Sequence, residues 1–127
     1  MEVIKIVGTD DTPSVTLDAA NDIFEISGRS LPEDVSAFYE PILDWLNRYS
    51  ETPNPKTVFN FKLVYFNTAS SKMLLDILLQ LESMHETGKD VLIRWHYPED
   101  DEDMEEAGQE YADIVEIPFE QVGYSLD

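Results

Sequence analysis

The chain has 127 residues, of which 43 % are apolar, and this length suits one domain with a single modest core. It contains no cysteine, which excludes disulfides, thiol nucleophiles, iron–sulfur clusters and cysteine-ligated zinc. Twenty-seven acidic residues against eight basic ones give a formal charge of −19, the wrong sign for binding nucleic acid or an anionic membrane surface. No segment approaches the ~18 consecutive apolar residues of a membrane-spanning helix, so we expect a cytoplasmic protein without membrane insertion.

The acidic residues are concentrated toward the C-terminus. Residues 99–127 contain twelve acidic residues and no basic one, whereas residues 1–98 contain fifteen acidic and eight basic residues. We interpret the run 99–106 (EDDEDMEE) as a solvated acidic loop or a frayed helix, because like charges repel one another and stay hydrated. An acidic segment of this kind could also make the protein a decoy that mimics nucleic acid and occupies a basic partner. This alternative function remains open at the level of the sequence.

Hydrophobic patterning in the first half predicts strands followed by a helix. Residues 2–7 have the pattern of a strand, and residues 14–17 and 23–26 have that of a hairpin. Ser30 and Glu33 have the spacing of a capping box, which predicts that a helix begins there. Apolar residues then recur at three- and four-residue steps as far as the turn that follows this helix, as expected for an amphipathic helix with one buried face.

The second half contains the strongest strand signal, residues 57–66 (TVFNFKLVYF), which predicts a central strand. After it the pattern predicts capping residues in 67–71, a long helix over 72–89, a strand over 90–95, a short helix over 104–111 and a short strand over 114–117. Helices that alternate with strands imply right-handed crossovers and parallel pairing, whereas the opening hairpin is antiparallel. The predicted fold is a single α/β domain over residues 1–127, with a mixed, mostly parallel sheet packed with helices.

The sequence contains no recognisable catalytic or metal-binding constellation. Its two histidines, His85 and His96, have no second metal ligand or nucleophile at a matching spacing. No glycine-rich phosphate loop, nucleophile elbow or zinc-binding helix motif occurs. We therefore predict no catalytic residue, no metal, no cofactor and no enzymatic activity.

The junction between the predicted central strand and the long helix, residues 64–72 (VYFNTASSK), contains the hydroxyl groups of Thr68, Ser70 and Ser71. Ligand crevices of α/β sheets open at such strand ends. One interpretation is capping of the helix, which contributes ~1 kcal/mol and has no further role. The other is phosphorylation, because the free amides and the dipole at a helix N-terminus tolerate added negative charge. The residues alone leave both interpretations open.

A wider sequence pattern surrounds this junction and extends over essentially the whole chain. It consists of the segments 2–46, 57–81 and 100–114, with the specific motifs 28–30 (GRS), 32–33 (PE) and 65–72 (YFNTASSK). In these residues the chain resembles the SiaC family of biofilm regulatory phosphoproteins. The resemblance implies a STAS-like fold, similar to that of anti-sigma-factor antagonists, and a partner-switching function.

The resemblance also implies a modification site and three protein partners. Thr68 would be phosphorylated by a kinase of the histidine-kinase-like ATPase type (SiaB) and dephosphorylated by a PP2C-type phosphatase (SiaA). The unphosphorylated form would bind and activate a diguanylate cyclase (SiaD), raising cyclic di-GMP and promoting biofilm formation or aggregation. Asn67, Thr68, Ser70, Ser71 and Lys72 are the residues expected to contribute to the partner surface.

Overall fold

A computed structural model describes residues 1–125, which form six strands and three helices. In chain order these elements are β1 (Ile4–Ile6), β2 (Ser14–Asp18), β3 (Ile23–Ser30), α1 (Val35–Tyr49), β4 (Lys56–Phe66), α2 (Thr68–Glu86), β5 (Asp90–Pro98), α3 (Glu102–Ile114) and β6 (Phe119–Tyr124).

The six strands form one sheet in which they lie side by side in chain order. β1, β2 and β3 pair antiparallel, whereas β3, β4, β5 and β6 pair parallel. This confirms the predicted α/β domain with a mixed, mostly parallel sheet. Each parallel connection contains a helix and advances by one strand in the same direction. Because such crossovers are right-handed, all three helices lie on the same face of the sheet.

The core lies between the helices and this covered face of the sheet. Along β4, Phe59 and Phe61 are fully buried, whereas Lys62 points to the open face and is exposed. A period of two is the pattern of a strand that is covered on one side. The helices bury residues at the predicted three- and four-residue steps, among them Tyr39, Ile42, Leu46 and Tyr49 in α1 and Leu74, Ile77, Leu78 and Leu81 in α2. Trp45 of α1, which is not in the predicted stripe, is fully buried as well.

The start of α1 differs from the prediction. The helix begins at Val35 rather than near Ser30, and its N-cap is Asp34, whose Oδ1 accepts a hydrogen bond from the Ala37 N–H at 3.0 Å. Ser30 instead ends β3, where it pairs with Phe66 of β4. The capping-box spacing is a local signal, and pairing with a strand distant in sequence overrides it.

The loop interpretation of 99–106 is wrong beyond Asp101, because α3 begins at Glu102, two residues before the predicted short helix over 104–111. Asp101 is the N-cap, and its Oδ1 accepts a hydrogen bond from the Met104 N–H at 3.0 Å. Acidic residues in the first turn interact favourably with the helix dipole. Met104 is only 6 % exposed, so the run also contains a residue that packs into the core. Capping, the dipole and this burial together outweigh the repulsion between like charges.

The predicted strand over 114–117 is also wrong. Ile114 ends α3, and the strand that pairs with β5 is β6. Val115 and Ile117 lie in the connection between them, yet they are only 5 % and 8 % exposed. A short apolar run therefore covers the edge of the core without forming a strand. A local sequence pattern cannot distinguish such a buried connection from a short strand.

Candidate functional site

The junction between β4 and α2 lies at the carboxyl end of the central strand. Asn67 is the N-cap of α2, and its Oδ1 accepts a hydrogen bond from the Ser70 N–H at 2.9 Å. The Asn67 N–H donates to the Ser30 carbonyl oxygen at 3.1 Å, which ties the junction to the end of β3. Asparagine thus supplies the cap, and the hydroxyl groups of the junction are not needed for it.

The three hydroxyl groups have different environments. Thr68 is exposed, and within residues 1–125 its hydroxyl has no hydrogen-bond partner. Ser71 is half-buried, and its hydroxyl donates to the Thr68 carbonyl oxygen at 2.6 Å. Ser70 is fully buried, so the prediction that it contacts a partner directly is wrong. The hydroxyl most accessible to a modifying enzyme is that of Thr68.

Ser70 belongs to a chain of buried hydroxyl groups beneath the junction. Tyr39 donates to the Ser30 Oγ at 2.5 Å, Ser30 donates to the Ser70 Oγ at 2.8 Å, and Ser70 donates to the Ser30 carbonyl oxygen at 2.9 Å. Burial raises the pKa of Tyr39, so its hydroxyl keeps the proton that it donates. The chain joins β3, α1 and α2 and fixes the first turn of α2. Local sequence patterns do not reveal it, because its members come from three separate elements.

The first turn of α2 has a favourable environment for negative charge. Within residues 1–125 the N–H groups of Thr68 and Ala69 have no hydrogen-bond acceptor, and the first turn contains no acidic residue. Lys72 is exposed one turn further along the helix. Free amides at a helix N-terminus, together with the dipole, favour an anion. The fold can therefore accommodate a charged group on the Thr68 side chain.

Apolar and aromatic side chains flank the junction on both sides. Tyr65, at the end of β4, is 44 % exposed, and the Arg29 guanidinium lies 5.2 Å from the centre of its ring. On the other side, the Tyr111 hydroxyl of α3 donates to the Ser71 carbonyl oxygen at 2.8 Å. Burial raises the pKa of Tyr111 well above its ordinary value. This contact fixes α3 against the first turn of α2, although no sequence signal connects the two residues.

The two histidines lie away from the junction. His85 lies in the last turn of α2, at the opposite end of that helix from Thr68. His96 lies on the open face of the sheet with its Nε2 2.8 Å from the Asn60 Oδ1, and partial burial together with nearby cations lowers its pKa. Among the described residues, no group of three or more histidine and acidic side chains is arranged to hold a metal. No helix in the same range is long and apolar enough to cross a membrane.

Comparisons with known proteins agree with the fold. The family model described as SiaC family regulatory phosphoprotein matches residues 6–124. An uncharacterised protein of Pseudomonas aeruginosa strain UCBPP-PA14 is 31 % identical over 119 residues, which is 94 % of each chain.

Two solved structures from Pseudomonas aeruginosa are also similar to the chain. Apo-SiaC has 30 % identity and a TM-score of 0.88, covering 96 % of this chain and 99 % of that one. A chain in the complex of the diguanylate cyclase SiaD with its activator SiaC has 30 % identity and a TM-score of 0.90, covering 95 % of this chain and 99 % of that one. Since the family model spans nearly the whole sequence and the solved relatives share its fold, the chain belongs to the SiaC family of regulatory phosphoproteins.

Proposed function

We propose that this chain is a non-enzymatic, cytoplasmic partner-switching regulator whose binding is controlled by reversible phosphorylation of Thr68. In its unphosphorylated form it binds and activates a diguanylate cyclase, which raises cyclic di-GMP and promotes biofilm formation or aggregation. The observation that carries the proposal is the Thr68 hydroxyl, exposed and without a partner in residues 1–125, at the start of a capped helix in a member of a regulatory phosphoprotein family.

Phosphorylation of Thr68 would act on the partner rather than on the fold. The phosphate adds nearly two negative charges and three acceptor oxygens. The free N–H groups of Thr68 and Ala69, the helix dipole and Lys72 offset this charge within the chain. At an interface the same charge must be desolvated, which costs several kcal/mol unless a basic residue of the partner meets it. Phosphorylation therefore releases a partner that covers Thr68 with apolar side chains.

Three partners follow from this proposal. A kinase of the histidine-kinase-like ATPase type, similar to SiaB, adds the phosphate, and a PP2C-type phosphatase, similar to SiaA, removes it. The cyclase is supported as the target by the Pseudomonas aeruginosa relative, which is the activator of the diguanylate cyclase SiaD in their complex. Asn67, Thr68, Ser71 and Lys72 contribute to the partner surface, while Ser70 holds the turn from below.

Phosphopeptide mapping after incubation with the kinase and ATP tests the modification site. We expect a phosphate on Thr68 in the wild type, no phosphate in Thr68→Ala, and normal phosphorylation in the control Ser71→Ala. Ser71 is the matched control because its hydroxyl lies in the same turn but is hydrogen-bonded and half-buried. A phosphate that persists in Thr68→Ala, or none in the wild type, would overturn the assignment.

Cyclase binding and activation test the direction of the switch. Thr68→Ala should bind and activate the cyclase as the wild type does, whereas Thr68→Glu should bind less tightly because it brings a charge to the interface. Equal activation by the two variants would show that Thr68 is not the switch.

Salt dependence separates the proposal from the nucleic-acid decoy. A decoy that neutralises a basic partner through many acidic residues should lose roughly 10³-fold in affinity between about 50 and 200 mM salt. A binding surface whose centre is apolar should lose much less affinity over the same range, because salt screens only the charges at its rim.

A further inference from the structure

A cavity of about 630 Å³ lies between the strand β1 and the helix α1. Its lining on the strand side consists of Glu2, Val3 and Ile4, and on the helix side it comes from α1. Among residues 1–125, no residue of β4, α2 or α3 lines it. The cavity is therefore separate from the junction that contains Thr68. We call it the β1–α1 groove.

Two contacts of Glu2 hold the strand side of the groove against the helix. The Arg48 Nη2 donates to the Glu2 Oε1 at 2.7 Å, and the Trp45 indole N–H donates to the Glu2 carbonyl oxygen at 2.7 Å. Trp45 is fully buried, so the second contact ties the strand to the core. The two walls of the groove are therefore held at a fixed spacing, as is usual for a binding site that exists before its ligand arrives.

β1 is an edge strand with one free side. It pairs with β2 only, and no other strand of residues 1–125 lies beside it. Every second residue of an edge strand directs its N–H and carbonyl groups away from the sheet, where they can pair with another chain. Val3 and Val7, which precede and follow β1, are 52 % and 82 % exposed. This edge can therefore accept both the backbone and the apolar side chains of a further strand.

The helix wall of the groove contains hydrogen-bond acceptors that lack donors. Pro41 has no N–H, so the Ala37 carbonyl oxygen is without the i+4 donor of a regular helix, and both residues line the groove. Glu40 and Asp44 also line it and are exposed. Within residues 1–125 neither carboxylate has an ion-pair or hydrogen-bond partner. An occupant of the groove must therefore supply donors.

The one basic residue of the groove does not neutralise these carboxylates. Glu40, Asp44 and Arg48 follow one another at four-residue steps, which sets them on one face of α1. Arg48 pairs with Glu2, so Glu40 and Asp44 remain a like-charged pair, which is repulsive at this spacing. A cation from outside relieves the repulsion, whereas an acidic occupant adds to it. The charges of the groove therefore favour a basic occupant.

We propose that the β1–α1 groove binds an extended segment of a basic protein partner, which adds a strand to the free side of β1. Side chains alternate along such a strand. One set consists of lysine or arginine and points toward α1, where the charged groups reach Glu40 and Asp44. The aliphatic stems of these side chains cover the half-buried Ile4 and Ile6. The other set is apolar and points to the open face of the sheet.

A second copy of the chain is a poorer occupant than a basic partner. Each copy has a formal charge of −19, so two copies repel one another. Residues 2–7 of a second copy contain one glutamate and one lysine, so they bring no net positive charge to Glu40 and Asp44.

Calorimetric titration with a synthetic peptide tests strand addition. The probe has blocked ends and alternates valine with lysine over about eight residues, which is within the usual range of strand lengths. The control peptide keeps every lysine and has proline in place of the central valines. Because proline cannot donate to a strand ladder, the control should bind about tenfold more weakly at the same charge. Equal affinities would mean that the acidic protein attracts any basic peptide, and this would overturn the proposal.

Charge reversal in α1 tests the role of the carboxylates. Glu40→Lys and Asp44→Lys should each weaken binding of the valine–lysine peptide about fivefold or more. Both positions are exposed, so the fold is retained. The matched control is Asp76→Lys, because Asp76 is exposed on α2 and does not line the groove, and its affinity should stay within about twofold of the wild type. Equal weakening by the three reversals would show that net charge alone acts, which contradicts binding in the groove.

Amide hydrogen exchange locates the bound peptide. The outward N–H groups of residues 3–7 exchange with water while the edge is free, and the valine–lysine peptide should slow their exchange, whereas the proline control should not. Slowing confined to residues 64–72, or none anywhere, would overturn the proposal. Slow exchange of residues 3–7 in the protein alone, together with a dimer in sedimentation, would assign the edge to a second copy and would overturn it as well.

The inference does not rest on the proposed function. It concerns a surface formed by β1 and α1, and none of its tests uses the cyclase or a variant of Thr68. Failure of the peptide to bind would leave the proposed switch at the junction unaffected, and failure of the switch would leave the groove unaffected.

Discussion

Replacing Ser70 with alanine should destabilise the fold by about 1–2 kcal/mol, because it breaks the buried hydroxyl chain under the start of α2. The Ser70 Oγ accepts from Ser30 at 2.8 Å and donates to the Ser30 carbonyl oxygen at 2.9 Å. That carbonyl keeps a second donor, the Asn67 N–H at 3.1 Å. The Ser30 hydroxyl, however, loses the acceptor to which it donates. If it turns to donate to the Tyr39 oxygen instead, the Tyr39 hydroxyl can no longer donate to Ser30 and is left without an acceptor. One buried donor remains unsatisfied in either case.

Urea unfolding followed by circular dichroism measures this cost. Ser30→Ala should destabilise the protein by a similar amount, about 1–2 kcal/mol, because it leaves the Tyr39 hydroxyl without its acceptor. The control Ser71→Ala removes a half-buried hydroxyl that donates to a backbone carbonyl, and it should cost less than about 0.5 kcal/mol. Equal free energies of unfolding for Ser70→Ala and Ser71→Ala would refute the structural role assigned to the buried chain.

Three further predictions concern α3 and the open face of the sheet. A Cβ at Gly108 would collide with the Trp95 indole, so Gly108→Ala should destabilise the fold by about 1–3 kcal/mol in urea unfolding, and a neutral effect would contradict the packing. Asp101→Ala should cost ~1 kcal/mol through loss of the α3 cap, and Asp101→Asn should recover most of it; equal losses in the two variants would exclude capping. Burial and nearby cations lower the pKa of His96, so the unfolded state binds its proton more readily. The free energy of unfolding should therefore fall as pH drops below about 6.5, and it should fall less in His96→Gln. Urea unfolding at several pH values measures this, and an equal fall in the wild type and in His96→Gln would contradict the prediction.

The elements that the sequence predicts well are those whose burial is one-sided and whose signal is local. Residues 57–66 are rich in β-branched and aromatic residues, and the observed strand β4 differs by one residue, Lys56–Phe66. The apolar stripe of α1 follows the predicted helical spacing from Tyr39 to Tyr49 because a helix on a sheet must bury one face. The alternation of strands and helices was likewise sufficient for the α/β class and for parallel pairing in the second half.

The elements that the sequence predicts poorly depend on partners distant in the chain. Ser30 has a capping-box spacing but is held by pairing with Phe66. The acidic run resembles a solvated loop, yet the Asp101 cap and the packing of Met104 make most of it helical. Val115 and Ile117 have the pattern of a strand although they cover the core from a connection. In each case a tertiary contact, which no local pattern contains, outweighs the local preference.

The same distinction between local sequence signals and tertiary contacts applies to the candidate site. The sequence by itself located three hydroxyl groups at a strand-to-helix junction, and the motif around them indicated the family. Only the tertiary structure decided that Asn67 is the cap, that Ser70 is buried and that Thr68 is exposed. It also brought Tyr111 and the apolar residues of α3 against the same turn. The physical reason is that exposure and hydrogen bonding at the junction depend on β3, α1 and α3, which are distant from it in sequence and meet it only when the chain folds.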